Sequence, residues 1–349
     1  MFPLLLCYFM AFLVAFAGTP TIIRIATKFS FFDEPNERKT HGSRIPLLGG
    51  IAIFGAMLFA FTIWSGQYFT PKDLYIIAAL IIIFFFGLRD DLAPLAPLKK
   101  LSGQVIASLI IVLFCNMGIR DLHGLLGIHE IGVIPSILLS LFVMLAIINA
   151  FNLIDGIDGL ATGLGIIASA LFGIVFLAYG ELLMSVLAFA LCGALSGFLP
   201  YNFYRASIFM GDTGTMTIGF ILSVFTVHFM DLSTTENGGL FSYHAIPTFL
   251  LSVLIVPVAD MARVFMIRIF KGQSPFSPDR NHIHHRLLQL GLNPARACLV
   301  LYGVSICFAG LSWILRDSRD PFTFWYLFAG ALLISQVPLL LMKRRRQIA

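Results

Sequence analysis

The sequence predicts an all-α integral membrane protein, and three observations carry that prediction. Of 349 residues, 58% are hydrophobic and only 12% charged, with a mean hydropathy of +0.92. About 11 stretches are apolar over close to the ~20 residues that a helix needs to cross a hydrocarbon core. Those stretches are continuously apolar, without the alternation of barrel strands, so transmembrane helices are expected. Residues 1–349 read as a single polytopic membrane domain, without an internal repeat, low-complexity segment or soluble domain.

Taken in order, the first stretch (2–23) has no basic leading region and no small-residue cleavage site, so a retained span is expected. Stretches 47–65, a short 73–88 and 101–118 follow, with Lys99 and Lys100 opening the last of these. Stretches 133–151 and 160–179 flank the polar run N-L-I-D-G-I-D-G at 152–159. Stretches 182–199 and 214–231 flank M-G-D-T-G at 210–214. The ninth, 245–268, contains Pro257 and Asp260 and is expected to bend or break. Stretches 297–315 and 322–342 complete the set, and the basic run at 343–346 is suited to anionic headgroups. With eleven spans, 19 of the 23 Lys and Arg fall on one side, leaving Lys72, Arg120, Arg316 and Arg319 on the other. The positive-inside rule then puts the N-terminus outside and the C-terminus in the cytoplasm. The five cysteines lie scattered in apolar helices, which predicts packing and neither a disulfide framework nor a zinc site.

Charge is expensive in hydrocarbon, and the polar clusters lie between alternate pairs of spans, which points to an active site on the cytoplasmic face. Five clusters fall there. Asp33 to His41 includes Lys39 and precedes Gly49 and Gly50, a pattern for a phosphate clamp or a solvated loop. Asp90 and Asp91 are adjacent carboxylates that a divalent cation, a raised pKa or the neighbouring Arg89 would relieve. Asn152, Asp155 and Asp158 suit a polar cavity, or an N-cap for the next helix. Asp212 opens the eighth span, either as a cap or beside a phosphate at a helix N-terminus. Arg280, His282, His284, His285 and Arg286 have spacing unsuited to a closed zinc site, and fit anion binding or substrate orientation better. Asp260 and Arg263, spaced i, i+3, read as a structural ion pair. Together the clusters suggest phosphoryl transfer between a soluble and a membrane-embedded substrate.

The motifs D-x-P-N-x-R-K-x-H, P-x-x-G-G, the Asp90-Asp91 pair, N-x-x-D-G-I-D-G, M-G-D-x-G and S-P-F-S-P-D-R-x-H-I-H-H occur in that order along the chain. In this the chain resembles the polyprenyl-phosphate N-acetylhexosamine-1-phosphate transferases, glycosyltransferase family 4, over essentially its whole length. The likeness is greatest to the branch that uses UDP-N-acetylglucosamine. The resemblance implies transfer of a sugar-1-phosphate from a UDP-sugar to undecaprenyl phosphate, with UMP released and Mg²⁺ or Mn²⁺ required. It also implies that Asp212 and Asn152 hold the metal, that Asp90 and Asp91 sit beside the lipid phosphate, and that Asp155 and Asp158 lie near the nucleotide. Lys39, Lys100, Arg280 and His282 would then contact phosphates or sugar, with His41, His284 and His285 completing the substrate-binding set. Of these, Asp90, Asp91, Asp212 and His282 are the expected catalytic residues. The implied setting is the bacterial cytoplasmic membrane, with the lipid bilayer as partner, no nucleic acid, and a homodimer as one assembly.

Other classes fit less well. An ion-coupled transporter usually carries charge near the midplane, whereas only His228 lies well inside an expected span. A CDP-alcohol phosphotransferase expects Ala-Arg after Asp-Gly, but Leu160, Ala161 and Thr162 follow Gly159. Another UDP-N-acetylhexosamine donor fits the same motifs. His123 and His129, expected in an outer loop, should tolerate replacement by Ala.

Overall fold

The computed structural model describes residues 2–32, 45–232, 240–273 and 281–348, and of 343–348 the backbone alone. Among these residues the chain is all-helical, with isolated bridges at Phe32–Pro46 and Asp121–Glu130 in place of strands. In chain order the helices are α1 (Phe2–Lys28), α2 (Gly49–Ser65), α3 (Leu74–Leu92), α4 (Pro97–Phe114), α5 (Val133–Ile154), α6 (Leu160–Ala178) and α7 (Leu182–Asn202). They continue as α8 (Gly211–Leu232), α9 (Ile246–Val253), α10 (Ile255–Phe270), α11 (Ile283–Gln289), α12 (Pro294–Ile314) and α13 (Thr323–Ile348). Nine helices among the described residues are long and apolar enough to cross a membrane, or ten if the bent pair α9–α10 is one span. The 17-residue α2 is apolar but shorter. The protein is therefore a multi-pass membrane protein.

The expected bend in the ninth stretch is present: α9, with its leading turn from Tyr243, meets α10 at 78°. Its cause is local. Pro257 has no N–H for the carbonyl of Val253, four residues back, and its ring crowds that carbonyl. The helix breaks at Leu254, whose own N–H turns back to Leu251 O at 3.1 Å, as in a tight turn.

At the centre, α8 is the most enclosed span, packed against α3 and α5. Enclosure lets it carry Thr217 and Thr226, whose hydroxyls donate to the carbonyls of Thr213 (2.6 Å) and Leu222 (2.8 Å). Small residues let neighbours close in. A Cβ on Gly197 of α7 would strike Phe12 O of α1, and one on Gly219 of α8 would meet Ile148 of α5 at 2.7 Å. Phe172, Phe176, Phe225, Phe229 and Phe249 form a ring cluster, mostly edge-to-face, that joins α6, α8 and α9.

The two ends of the bundle differ. One carries the ends of α3, α5 and α7 and the starts of α4, α6 and α8, and there the acidic motifs gather. At the other, Arg120 pairs with Asp231 (3.3 Å) and His228 with Glu181 (3.2 Å). Also there, Tyr243 donates to Asp121 Oδ1 (2.6 Å) and its hydroxyl meets His129 Nδ1 (3.0 Å). His123 is fully buried, 4.6 Å from the Tyr243 ring, and its backbone N–H donates to Asp121. Truncating His123 is therefore expected to cost stability, because this turn folds inward onto the leading turn of α9. His129 is exposed, as a loop residue should be.

Candidate active site

Asp90 and Asp91 fall in the last turn of α3, not in a loop beyond it. Both Asp91 oxygens are engaged. They accept from the N–H groups of Asp212 (2.6 Å) and Thr213 (3.0 Å) and from the Thr213 hydroxyl (2.5 Å). Asp91 thus caps α8 from another helix, satisfying N–H groups that have no partner within α8. Gly211 (φ +69) makes the approach feasible, since a Cβ there would meet the Asp91 carboxylate at 2.5–2.6 Å. Asp90 accepts from Leu95 N (2.6 Å) and pairs with Lys100 Nζ (3.0 Å). The same ammonium reaches Asp212 Oδ1 at 2.5 Å. Arg89 turns to the carbonyl of Ala93 (2.7 Å), so it closes the end of α3 while Lys100 pairs with the acidic residues.

Asn152 stays within α5, which runs three residues beyond the expected end. Its Nδ2 donates to Asp212 Oδ1 and to Thr215 Oγ1 (3.0 Å). The chain is irregular only over 155–159, as the glycines suggest. The Asp155 carboxyl is pushed up to about 7, first by burial and then by the negative charges of Asp212, Asp158 and Asp91. Asp158 is buried and accepts from Ala206 N (3.0 Å), which fastens this loop to the α7–α8 connection. Two residues of α12 hold consecutive loop carbonyls: Cys298 Sγ lies 3.3 Å from Asp158 O, and Tyr302 OH donates to Gly159 O at 2.5 Å.

The histidine segment reaches the same loop. A Cβ on Gly156 would strike the His284 ring, so glycine admits that ring against the backbone. His284 is buried, and neither ring nitrogen has a hydrogen-bond partner among the described residues. Burial, then the neighbouring His285, pushes it down to about 3, so it is neutral at physiological pH. It stacks on His282 (5.6 Å, 7°) and lies against His285 (4.3 Å). His282 is held by Asp260 of α10.

Gly49 and Gly50 do not open a cradle. Their N–H groups donate to Phe209 O (3.0 Å) and Met210 O (2.8 Å), and a Cβ on Gly50 would strike Gly214 N. The close approach is to the chain's own 209–214 segment. The structure therefore brings together Asp90, Asp91, Lys100, Asn152, Asp155 and Asp212, sets His284 beside them, and turns Asp158 toward Ala206. Lys39, His41 and Arg280 lie outside the described residues. Sequence reasoning missed Tyr302, Cys298 and Thr213, which carry no charge to mark them. Asp260 and Arg263 form the expected ion pair (2.6 Å), and Asp260 also faces His282, a contact that spacing along the chain did not reveal.

No group of three or more His, Cys, Asp or Glu among the described residues is arranged to hold a metal ion. The donor chemistry nevertheless fits a hard cation that uses few protein ligands and fills its shell with substrate phosphates and water. Asp212 and the Asn152 amide are oxygen donors on adjoining helix ends, with the carboxyls of Asp91 and Asp155 close by. Asn152 would rotate its amide to present Oδ1.

Residues 74–230 match the glycosyl transferase family 4. The chain is 33% identical to the decaprenyl-phosphate N-acetylglucosaminephosphotransferase of Mycobacterium tuberculosis, over 96% of this chain and 88% of the relative. It is 32% identical to the probable undecaprenyl-phosphate N-acetylglucosaminyl 1-phosphate transferase of Bacillus subtilis, over 94% and 89%. It is also 32% identical to the undecaprenyl-phosphate alpha-N-acetylglucosaminyl 1-phosphate transferase of Escherichia coli, over 80% and 74%. With the motifs of four helix ends gathered at one place and this likeness along nearly its full length, the chain belongs to the polyprenyl-phosphate N-acetylglucosamine-1-phosphate transferases of glycosyl transferase family 4.

Proposed function

We propose that this protein transfers N-acetylglucosamine-1-phosphate from UDP-N-acetylglucosamine to undecaprenyl phosphate, releases UMP, and so starts a lipid-linked surface glycan. The observation that carries the reading is the shared ammonium of Lys100, 3.0 Å from Asp90 and 2.5 Å from Asp212. A cation held between carboxylates of two helices can exchange one of them for an incoming phosphate without being left unpaired. The names of the three relatives supply the sugar and the lipid classes.

The chemistry needs little from a base. A phosphate monoester has a second pKa of ~6 and is largely dianionic at neutral pH. One acceptor oxygen forms a bond to the β-phosphorus of the donor, and the bond from that phosphorus to the bridging oxygen breaks, leaving that oxygen on UMP. The barrier is repulsion between anions. Lys100 offsets it, and Asp90 keeps Lys100 in place through its own bond from Leu95 N. Asp91 holds the start of α8, and with it Asp212, at a fixed position. Asp212 and Asn152 would hold Mg²⁺ or Mn²⁺, which when bound supplies neutralisation of the diphosphate charge. Neutral His284 offers one donor and one acceptor beside the 155–159 loop, suited to sugar or nucleotide. The Lys and Arg distribution supports an outside N-terminus, a cytoplasmic C-terminus and a site on the cytoplasmic face of the bacterial membrane.

The test is purified protein in detergent with undecaprenyl phosphate, Mg²⁺ and a panel of UDP-sugars, following UMP and the lipid product. UMP formation that requires lipid and is fastest with UDP-N-acetylglucosamine is expected. Faster turnover with another UDP-N-acetylhexosamine would replace the donor, and folded protein inactive with every sugar would refute the reading.

A further inference from the structure

Asp260 lies in α10, away from the acidic cluster, and its carboxylate is used to the full. Oδ1 accepts from Arg263 Nη2 (2.6 Å) and from the backbone N–H of Ile283 (2.8 Å), while Oδ2 faces His282 Nδ1 at 2.8 Å. Arg263 Nη2 also donates to Asn281 O at 2.5 Å. Asp260 and Arg263 are 2% and 1% exposed and His282 is 5%. An ion pair needed only for the fold of α10 has no reason to bind three successive residues of another segment. Burying such a pair is also a poor route to stability, because desolvation offsets most of the attraction.

The arrangement sets one atom. A carboxylate accepts only, so His282 must carry its proton on Nδ1 toward Asp260. Nε2 is then the ring nitrogen that faces away from Asp260. The ring is further fixed by its parallel stack on His284, which rests against Gly156 in the loop of the acidic site. A continuous line of contact runs from Asp260 through His282 and His284 to that loop.

We infer that Asp260 is a positioning residue for the transfer reaction: it locks the tautomer and orientation of His282 so that Nε2 is the ring atom presented to the substrate. This rests on the proposed site. Arg263 serves it by anchoring Asn281 and neutralising the buried carboxylate. The Asp-Arg pair is thus part of the machinery that orients the histidine segment, beyond the structural ion pair that the sequence suggested.

The test compares the full-length wild type with Asp260→Asn, His282→Ala, the double variant and Asp212→Ala, each with a thermal melt in detergent. Asn at 260 keeps an oxygen for Ile283 N and Arg263 but turns an N–H toward His282, which moves the ring proton to Nε2. The expected result is a ~10-fold or greater loss of kcat, KM changed less than kcat, and a double variant no worse than His282→Ala. Wild-type kcat in folded Asp260→Asn, or losses that multiply in the double variant, would overturn the inference. Should Asp260→Asn not fold, His282→Asn decides. Its amide keeps the N–H toward Asp260 and has no atom at Nε2, so it should melt like the wild type and be as slow as His282→Ala. An active His282→Asn overturns the inference. Activity in Asp212→Ala would instead strike at the proposed site, independently of Asp260.

Discussion

Asp155 shows how far a single residue can be read. Its ordinary carboxyl pKa is ~3.9, and in the folded protein it rises to about 7. The folded state therefore holds a proton that the unfolded chain has already released, and stability falls as the pH climbs from ~4 to ~7. In chelator, the melting temperature of the wild type should drop between pH 5 and pH 8, and Asp155→Asn should flatten that drop. Equal drops would show that the charge on Asp155 is already balanced. Residues such as Asp90, Asp155 and Asp212 were legible in the sequence because charge beside apolar helices demands a reason. The division of labour between them was not. That Asp91 caps α8 while Lys100 links Asp90 to Asp212 depends on which helix ends meet, and spacing along the chain does not encode that. Tyr302 and Cys298 gave no signal, since a phenol and a thiol in an apolar helix read as packing.

At the scale of elements, every apolar stretch of the sequence contains a helix, and the bend at Leu254 follows from Pro257. Boundaries moved where polar residues extended a helix: α3 runs through Asp91 and α5 through Asn152. Hydropathy ends a span at its last apolar residue, but the backbone continues until a glycine or an unfavourable contact stops it. The contact of the start of α2 with the start of α8 gives a sharp test. Gly50→Ala should lower stability by ~1–3 kcal/mol, as overpacking does, because Gly214 N and Thr213 are backbone-fixed neighbours that cannot yield. Unchanged melting and turnover would mean that this contact is looser than described. At the opposite end, His123→Ala should lower the melting temperature by several degrees, about 2 kcal/mol for a buried side chain, with turnover per folded molecule kept. His129→Ala should do neither, and lost turnover in either folded variant would contradict a site confined to the other end.

For the molecule as a whole, the enclosed α8 brings its N-terminus to the ends of α3 and α5, and α12 braces the loop between α5 and α6. The clustered carboxylates, Lys100 and Asn152 thus sit on helix ends at one end of a bundle whose flanks are apolar, and the proposed reaction would bring a water-borne donor and a lipid-borne acceptor together there. Composition foretold the class, while the pairing of helices emerged only in three dimensions. Metal-assisted transfer at Asp212 is tested by lipid-dependent UMP release from the wild type and Asp212→Ala, side by side, with Mg²⁺ and with chelator. The wild type should turn over with Mg²⁺ and stop in chelator, and folded Asp212→Ala should be slower by ~100-fold or more in Mg²⁺. Comparable turnover by the variant, or wild-type turnover unaffected by chelator, would contradict a metal-assisted transfer centred on Asp212.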